Sequence, residues 1–161
     1  GDAERSKFKL PKEKLDRLEE KFKNDNYLII DDYAHHPTEI QATLKAVSNL
    51  RAKRVVAIFQ PHRFTRTQLL FDEFVRSFDN VDYLIITDIY PASEQPILNI
   101  NSLNLCRKIK ERAPGKEVHF VPKEEILGKI SEIANPGDLI ITLGAGDIVR
   151  ISDELAEKFK N

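Results

Sequence analysis

The sequence is short of the features that announce most functions. Its 161 residues include one cysteine, Cys106, so no intramolecular disulfide can form, and a reducing compartment fits. No apolar run approaches the ~18 residues of a membrane-spanning helix, and no signal peptide is visible; a cytoplasmic protein is expected. Charge of one sign is missing too. Lys and Arg number 25 against 26 Asp and Glu, a formal net charge of −1, which leaves no basic footprint for nucleic acid or an anionic membrane. There is no GxxxxGK[ST] loop to cradle a triphosphate and no GxSxG elbow to present a nucleophilic serine. Any anion must be captured locally, with half of an active site.

What is present is a regular alternation. "NYLIID" (26–31), "RVVAIFQ" (54–60), "DYLIITD" (82–88), "EVHFV" (117–121) and "DLIITLG" (138–144) are short apolar runs rich in Val, Ile and aromatics. Such runs suit strands buried on both faces of a parallel sheet. Helical spacing fills the intervals: 37–48 with Ile40, Leu44 and Val47, 67–79 with Leu70, Phe74 and Phe78, then 102–112, 123–134 and 147–159. The pattern predicts an α/β fold, a doubly wound, mostly parallel, Rossmann-like sheet of five to six strands with helices on both faces. Cys106 falls on the apolar side of the 102–112 helix and reads as core. Residues 1–25 differ: "LPKEKLDRLEEKFKND", with a thin stripe of Leu15, Leu18 and Phe22, reads as a charged leader helix or linker. The chain opens inside charged sequence without a methionine, which suggests a missing upstream domain; residues 26–161 form the single folded domain.

Four of the five strands run into polar clusters at their carboxyl ends, where open α/β sheets bind ligands. "DDYAHHP" follows the first, "QPHRFTRT" the second, "DIYPASEQP" the third and "GAGD" the fifth. His62, Arg63 and Arg66 place two guanidiniums beside a helix start, a pattern that suits a carboxylate or phosphate; a solvated face holding Asp72 or Glu73 is the plainer alternative. Asp31 or Asp32 suits a sugar hydroxyl or a helix cap. His35 is the favoured substrate-positioning group, with His36 as its structural partner; adjacent histidines on a turn diverge, and no ligand spacing supports a metal. Asp88, Tyr90 and Glu94 sit on a loop flanking the cleft, with Glu94 read as solvated. Gly144 and Gly146 serve a tight turn or a close ligand approach, and Asp147 is expected to cap the last helix.

"DDYAHHPTEI", "IFQPHRFTRT", "DIYPASEQPI" and "GAGDI", in this order at these strand ends, resemble the carboxyl-terminal domain of the Mur ligases of peptidoglycan synthesis. The similarity spans roughly residues 15–159, and "QPHRFTRT" resembles the alanine-adding branch more than the murein-tripeptide-recycling one. The resemblance implies an ATP-dependent ligase joining L-alanine to UDP-N-acetylmuramate. An amino-terminal domain would hold the sugar nucleotide, and a central domain would hold ATP and Mg. It further implies His35, His62, Arg63 and Arg66 on the L-alanine side, and Asp31, Asp32, Tyr33 and Arg17 on the ATP side. Arg17 matches the second residue of the family's paired-arginine motif, whose first is replaced by Asp16. Alone, the domain is expected to be inactive and to hold no metal.

Two rival readings remain from the residues. One is a metal-dependent phosphoesterase using Asp31, Asp32, His35, His36 and Asp88. The other is a stand-alone nucleotide-binding module with "GAGD" as its anion nest.

Overall fold

The computed structural model describes residues 18–161. Six strands, β1 (Leu18–Lys23), β2 (Leu28–Asp32), β3 (Arg54–Phe59), β4 (Tyr83–Ile86), β5 (Glu117–Phe120) and β6 (Asp138–Leu143), form one sheet in the order β1-β2-β6-β3-β4-β5. β2 to β6 are mutually parallel, and β1 pairs antiparallel with β2 at the edge. The helices are α1 (Pro37–Ser48), α2 (Phe64–Leu69), α3 (Phe71–Val75), α4 (Ser102–Arg112), α5 (Ile126–Ile133) and α6 (Val149–Lys160).

Alternation along each strand builds two core layers. Leu28, Ile30, Val55, Ala57, Phe59, Leu84 and Ile86 pack with Ile40 and Leu44 of α1, Phe74 of α3 and Leu105 of α4. Ile29, Val56, Ile58, Ile85 and Ile140 pack with Ile126 and Ile130 of α5 and Ile151 and Leu155 of α6. Most of these side chains are fully buried, each contributing roughly 1.5–3 kcal/mol. Cys106 is core, as read, and burial pushes its thiol up to about 12. The expected doubly wound sheet is the observed one.

This order sets where a crevice opens. β6 lies between β2 and β3; α1 leaves β2 on one face of the sheet, and α6 leaves β6 on the other. Chains diverging in this way open a gap at the strands' carboxyl ends.

Three local expectations are corrected. Residues 18–23 are a strand, not part of a leader helix. The Asn24 side chain accepts from the backbone N–H groups of Asn26 and Tyr27 at 2.8 and 2.7 Å, an Asx turn that folds β1 back on β2. The register slips between Glu20 and Phe22, so Lys21 is a bulge and side-chain parity inverts across it. Leu18 therefore joins the first core layer and Phe22 the second, and the apparent helical stripe of Leu18 and Phe22 is two strand faces. Leu15 lies outside the described residues. Second, the expected 67–79 helix begins at Phe64 and breaks at Leu70, which has φ −108° and ψ 19°. Third, a 3-10 turn at Lys123–Glu125 precedes α5.

Candidate functional site

The carboxyl ends of β2, β3, β4 and β6 bring their polar clusters together. After β2, Asp32 is fully buried; it accepts from the Ala34 N–H at 3.1 Å and from the Thr43 hydroxyl of α1. It pins the turn rather than capping the helix. The cap is His36, whose Nδ1 accepts from the Thr38 N–H, while Glu39 Oε1 accepts from the His36 N–H. Asp31, one residue earlier, lies on the opposite sheet face and accepts from Thr142 Oγ1 at 2.6 Å. Burial pushes its carboxyl above the usual range, aided by Asp32 and opposed by the Thr142 bond and Lys21. Tyr33 is exposed, and His35 is half-buried beside it. His35 Nδ1 lies 3.0 Å from the Tyr33 carbonyl; a carbonyl only accepts, so Nδ1 carries the proton and Nε2 is left for other partners.

After β3, His62 and Arg66 form one unit. Arg66 Nη1 lies 3.2 Å from His62 Nδ1. A guanidinium only donates, so this nitrogen is the acceptor and the imidazole proton sits on Nε2. Burial pushes the His62 pKa down, and His35, Arg66 and Arg63 push it further. Arg63 is exposed and adopts φ 76° and ψ 141°, a conformation costing a non-glycine residue about 1–3 kcal/mol. Among the described residues it pairs with Glu94, at 3.9 Å, rather than with Asp72 or Glu73. Glu94 is no mere solvated residue: it accepts from the Thr65 hydroxyl and, at 3.0 Å, from the Thr65 N–H, and these bonds hold its carboxyl below the usual range. With only six residues, α2 supplies little dipole, so any anion attraction rests on the guanidiniums themselves.

Rings link the clusters in series. Centroids are 5.2 Å apart for Tyr33–His35, 5.7 Å for His35–His62 and 5.4 Å for His62–Tyr90. The last pair is nearly parallel, at 16°. Asp88 is exposed and lines a cavity of about 480 Å³ with Phe64, Asn101 and Arg107.

After β6, Gly144 takes φ 154°, and a Cβ at Gly146 would meet Gln60 Oε1 and Tyr90 Cγ at 2.7 Å. The close approach at Gly146 is thus to the protein itself. Asp147 does not cap α6. Burial opposes its ionisation, but Gln60 Nε2 at 2.7 Å and Lys123 Nζ at 2.6 Å outweigh that and hold the carboxyl below the usual range. Gln60 also accepts from the Ile148 N–H, so it ties the end of β3 to the start of α6. Lys123 carried no signal in the sequence, being one lysine among many; Gln60 stood beside "PHR" and was readable only as its neighbour.

The two rival readings lose their geometry. Asp31 and Asp32 point to opposite faces and are engaged by Thr142 and Thr43, and His36 is spent on its cap. Among the described residues no three His, Cys, Asp or Glu side chains gather to hold a metal. At "GAGD", the space beside Gly146 is taken by Gln60 and Tyr90, and nothing there favours an anion nest. Arg17 lies outside the described residues.

Comparison with known proteins gives the family. A family model described as Mur ligase, glutamate ligase domain, matches residues 16–146. The UDP-N-acetylmuramate–L-alanine ligase of Desulfatibacillum aliphaticivorans is 46% identical over 138 residues, covering 85% of this chain and 30% of that protein. That of Desulforapulum autotrophicum is also 46% identical, covering 88% of this chain and 31% of the relative. Among solved structures, UDP-N-acetylmuramate-alanine ligase MurC from Thermotoga maritima superposes with a TM-score of 0.66 at 27% identity, over 83% of this chain and 27% of that one. The chain therefore spans less than a third of these relatives. It belongs to the Mur ligase family and is the family's carboxyl-terminal domain.

Proposed function

We propose that this chain is the carboxyl-terminal domain of an ATP-dependent ligase that joins L-alanine to UDP-N-acetylmuramate, and that its crevice wall receives the amino acid. In that reaction the sugar carboxylate takes the γ-phosphoryl group of ATP to give an acyl phosphate, and the amine of L-alanine displaces phosphate. The observation that carries the reading is the juxtaposition of Arg66, Arg63, His62 and His35 at the ends of β2 and β3. Two guanidiniums there answer an amino-acid carboxylate. Held in place, that carboxylate sets the amine near the acyl carbon. His62, neutral and accepting from Arg66, leaves the positive charge on the guanidinium. Closure of this wall on the rest of the enzyme would exclude water, which would otherwise hydrolyse the acyl phosphate.

Tyr33, with Asp31 or Asp32 behind it, would border the ATP side of the closed cleft, and Arg17 would belong to the same side. ATP and Mg would rest mainly on the central domain of the full enzyme, with the sugar nucleotide on the amino-terminal one. No three His, Cys, Asp or Glu side chains among the described residues gather to offer Mg a ligand set. Among the described residues no helix is long and apolar enough to cross a membrane, and we place the enzyme in the cytoplasm, with its nucleotide substrates.

The test is Arg66→Ala in the full-length ligase. It is expected to raise KM for L-alanine about tenfold to a hundredfold, the worth of a lost charged hydrogen bond, with KM for ATP little changed. Equal effects on both substrates would sink the assignment. This chain alone is expected to form no product.

A further inference from the structure

We infer that Tyr90 is the positioning residue for the His62–Arg66 pair, and that position 146 is glycine because the Tyr90 ring occupies the space a side chain would need. The inference deepens the L-alanine reading and rests on it for its kinetic consequence.

Tyr90 acts through its backbone and its ring. Its N–H donates to the Pro61 carbonyl at 2.9 Å, and its carbonyl accepts from the Arg63 N–H at 2.8 Å. His62 and Tyr90 thereby form an isolated parallel bridge beyond the ends of β3 and β4. Arg63, at φ 76°, persists in a conformation that only a well-determined surrounding maintains. Tyr90 holds it from the amide side. On the carbonyl side, Thr67 donates to the Arg63 oxygen through its hydroxyl at 2.7 Å and its N–H at 3.2 Å. Glu94, four residues beyond Tyr90, clasps Thr65. One loop thus fastens the start of α2 at two points, and the direction in which Arg63 and Arg66 leave the backbone follows from it.

The ring completes the arrangement. It lies 5.4 Å from the His62 ring at 16° and leaves no room for a side chain at Gly146: a Cβ there would stand 2.7 Å from Tyr90 Cγ and 2.9 Å from Cδ2. Stacked on this ring, the imidazole keeps the rotation that aims Nδ1 at Arg66. The groups facing His62 are His35 from the β2–α1 loop, Arg63 and Arg66 at the start of α2, and Tyr90 and Glu94 from the β4–α4 loop.

Two readouts test this separately. In this chain, nitrogen NMR of His62 is expected to show one neutral tautomer, protonated on Nε2. Tyr90→Ala should mix the tautomers and move the His62 titration midpoint upward as water reaches the ring; Tyr90→Phe, which keeps the ring, should preserve both. Gly146→Ala, which pushes the ring without removing it, should shift His62 in the same direction as Tyr90→Ala. It serves as the second variant if Tyr90→Ala folds poorly. In the full-length ligase, Tyr90→Ala is expected to raise KM for L-alanine about tenfold and that for ATP less than about twofold, with Tyr90→Phe near wild type. Unchanged His62 tautomer and midpoint in both Tyr90→Ala and Gly146→Ala would overturn the inference, whatever Arg66→Ala does. A changed tautomer with unchanged KM for L-alanine in Tyr90→Ala would overturn its kinetic half. If Arg66→Ala is equally silent, it is the L-alanine reading that has failed, and the positioning stands on the NMR.

Discussion

The two ends of the sheet use charged residues in opposite ways. At the amino ends, Asp138 of β6 is 1% exposed and fully engaged: Arg54 of β3 reaches it through Nε at 2.9 Å and Nη2 at 2.7 Å, and the Asn135 N–H adds a third bond. Arg54 also donates to the Ile133 carbonyl and lies over the Tyr83 ring. These bonds stitch chain to chain. At the carboxyl ends, Arg63 is exposed, strained and 3.9 Å from the Glu94 carboxylate, and Tyr33 is 54% exposed. The first end is finished within the domain; the second leaves donors and rings exposed, as the proposed amino-acid site would require. A polar cluster signals function when its bonds are left incomplete in a held geometry, rather than by its charge alone.

That contrast predicts opposite stability effects. Asp138→Ala leaves the partly buried Arg54 guanidinium and the Asn135 N–H without their acceptor and is expected to cost about 1.5–3 kcal/mol, read as a lowered urea midpoint. A loss below about 1 kcal/mol would mean that the amino-end pair behaves as a surface ion pair and that the contrast fails. Arg63→Gly should act the other way. Glycine accepts φ 76° without strain, so a gain of about 0.5–1 kcal/mol is expected after its extra unfolded-state entropy, visible as a raised thermal midpoint. Destabilisation instead would show that the Arg63 side chain stabilises the domain itself. The smallest effect concerns Asp31. Because burial raises its pKa, the folded state holds a proton that the unfolded chain releases. Stability should therefore fall as pH rises from about 4 through the folded-state midpoint. Asp31→Asn should flatten that part of the profile, followed by urea melts at several pH values; an unaltered slope would show that Asp31 ionises normally.

The parallel strands are more legible in the sequence than the β1 edge. The five apolar runs became β2 to β6 because a strand buried on both faces needs apolar residues at every position, a local property. The polar clusters were equally legible, since strand ends can be counted. β1 was misread: its apolar spacing imitates a helix, and only pairing with β2, together with the Lys21 bulge, shows that Leu18 and Phe22 belong to different faces. Asp147 was misread for a similar reason. Asp before a helix commonly caps it, yet here Lys123 and Gln60, distant in sequence, compete for the carboxylate and win.

By itself, the sequence determined the parallel α/β class, the two-sided core and the chemistry present at each strand end, because these depend on residue type and short spacing. Tertiary structure alone decided which clusters meet. The return of β6 between β2 and β3 brings "GAGD" against Tyr90 and Gln60 and sets His35 beside His62. It also decided the faces taken by Asp31 and Asp32 and the unusual backbone of Arg63. Such pairings join residues tens of positions apart, and their energy arises only when the sheet closes, so no local pattern encodes them.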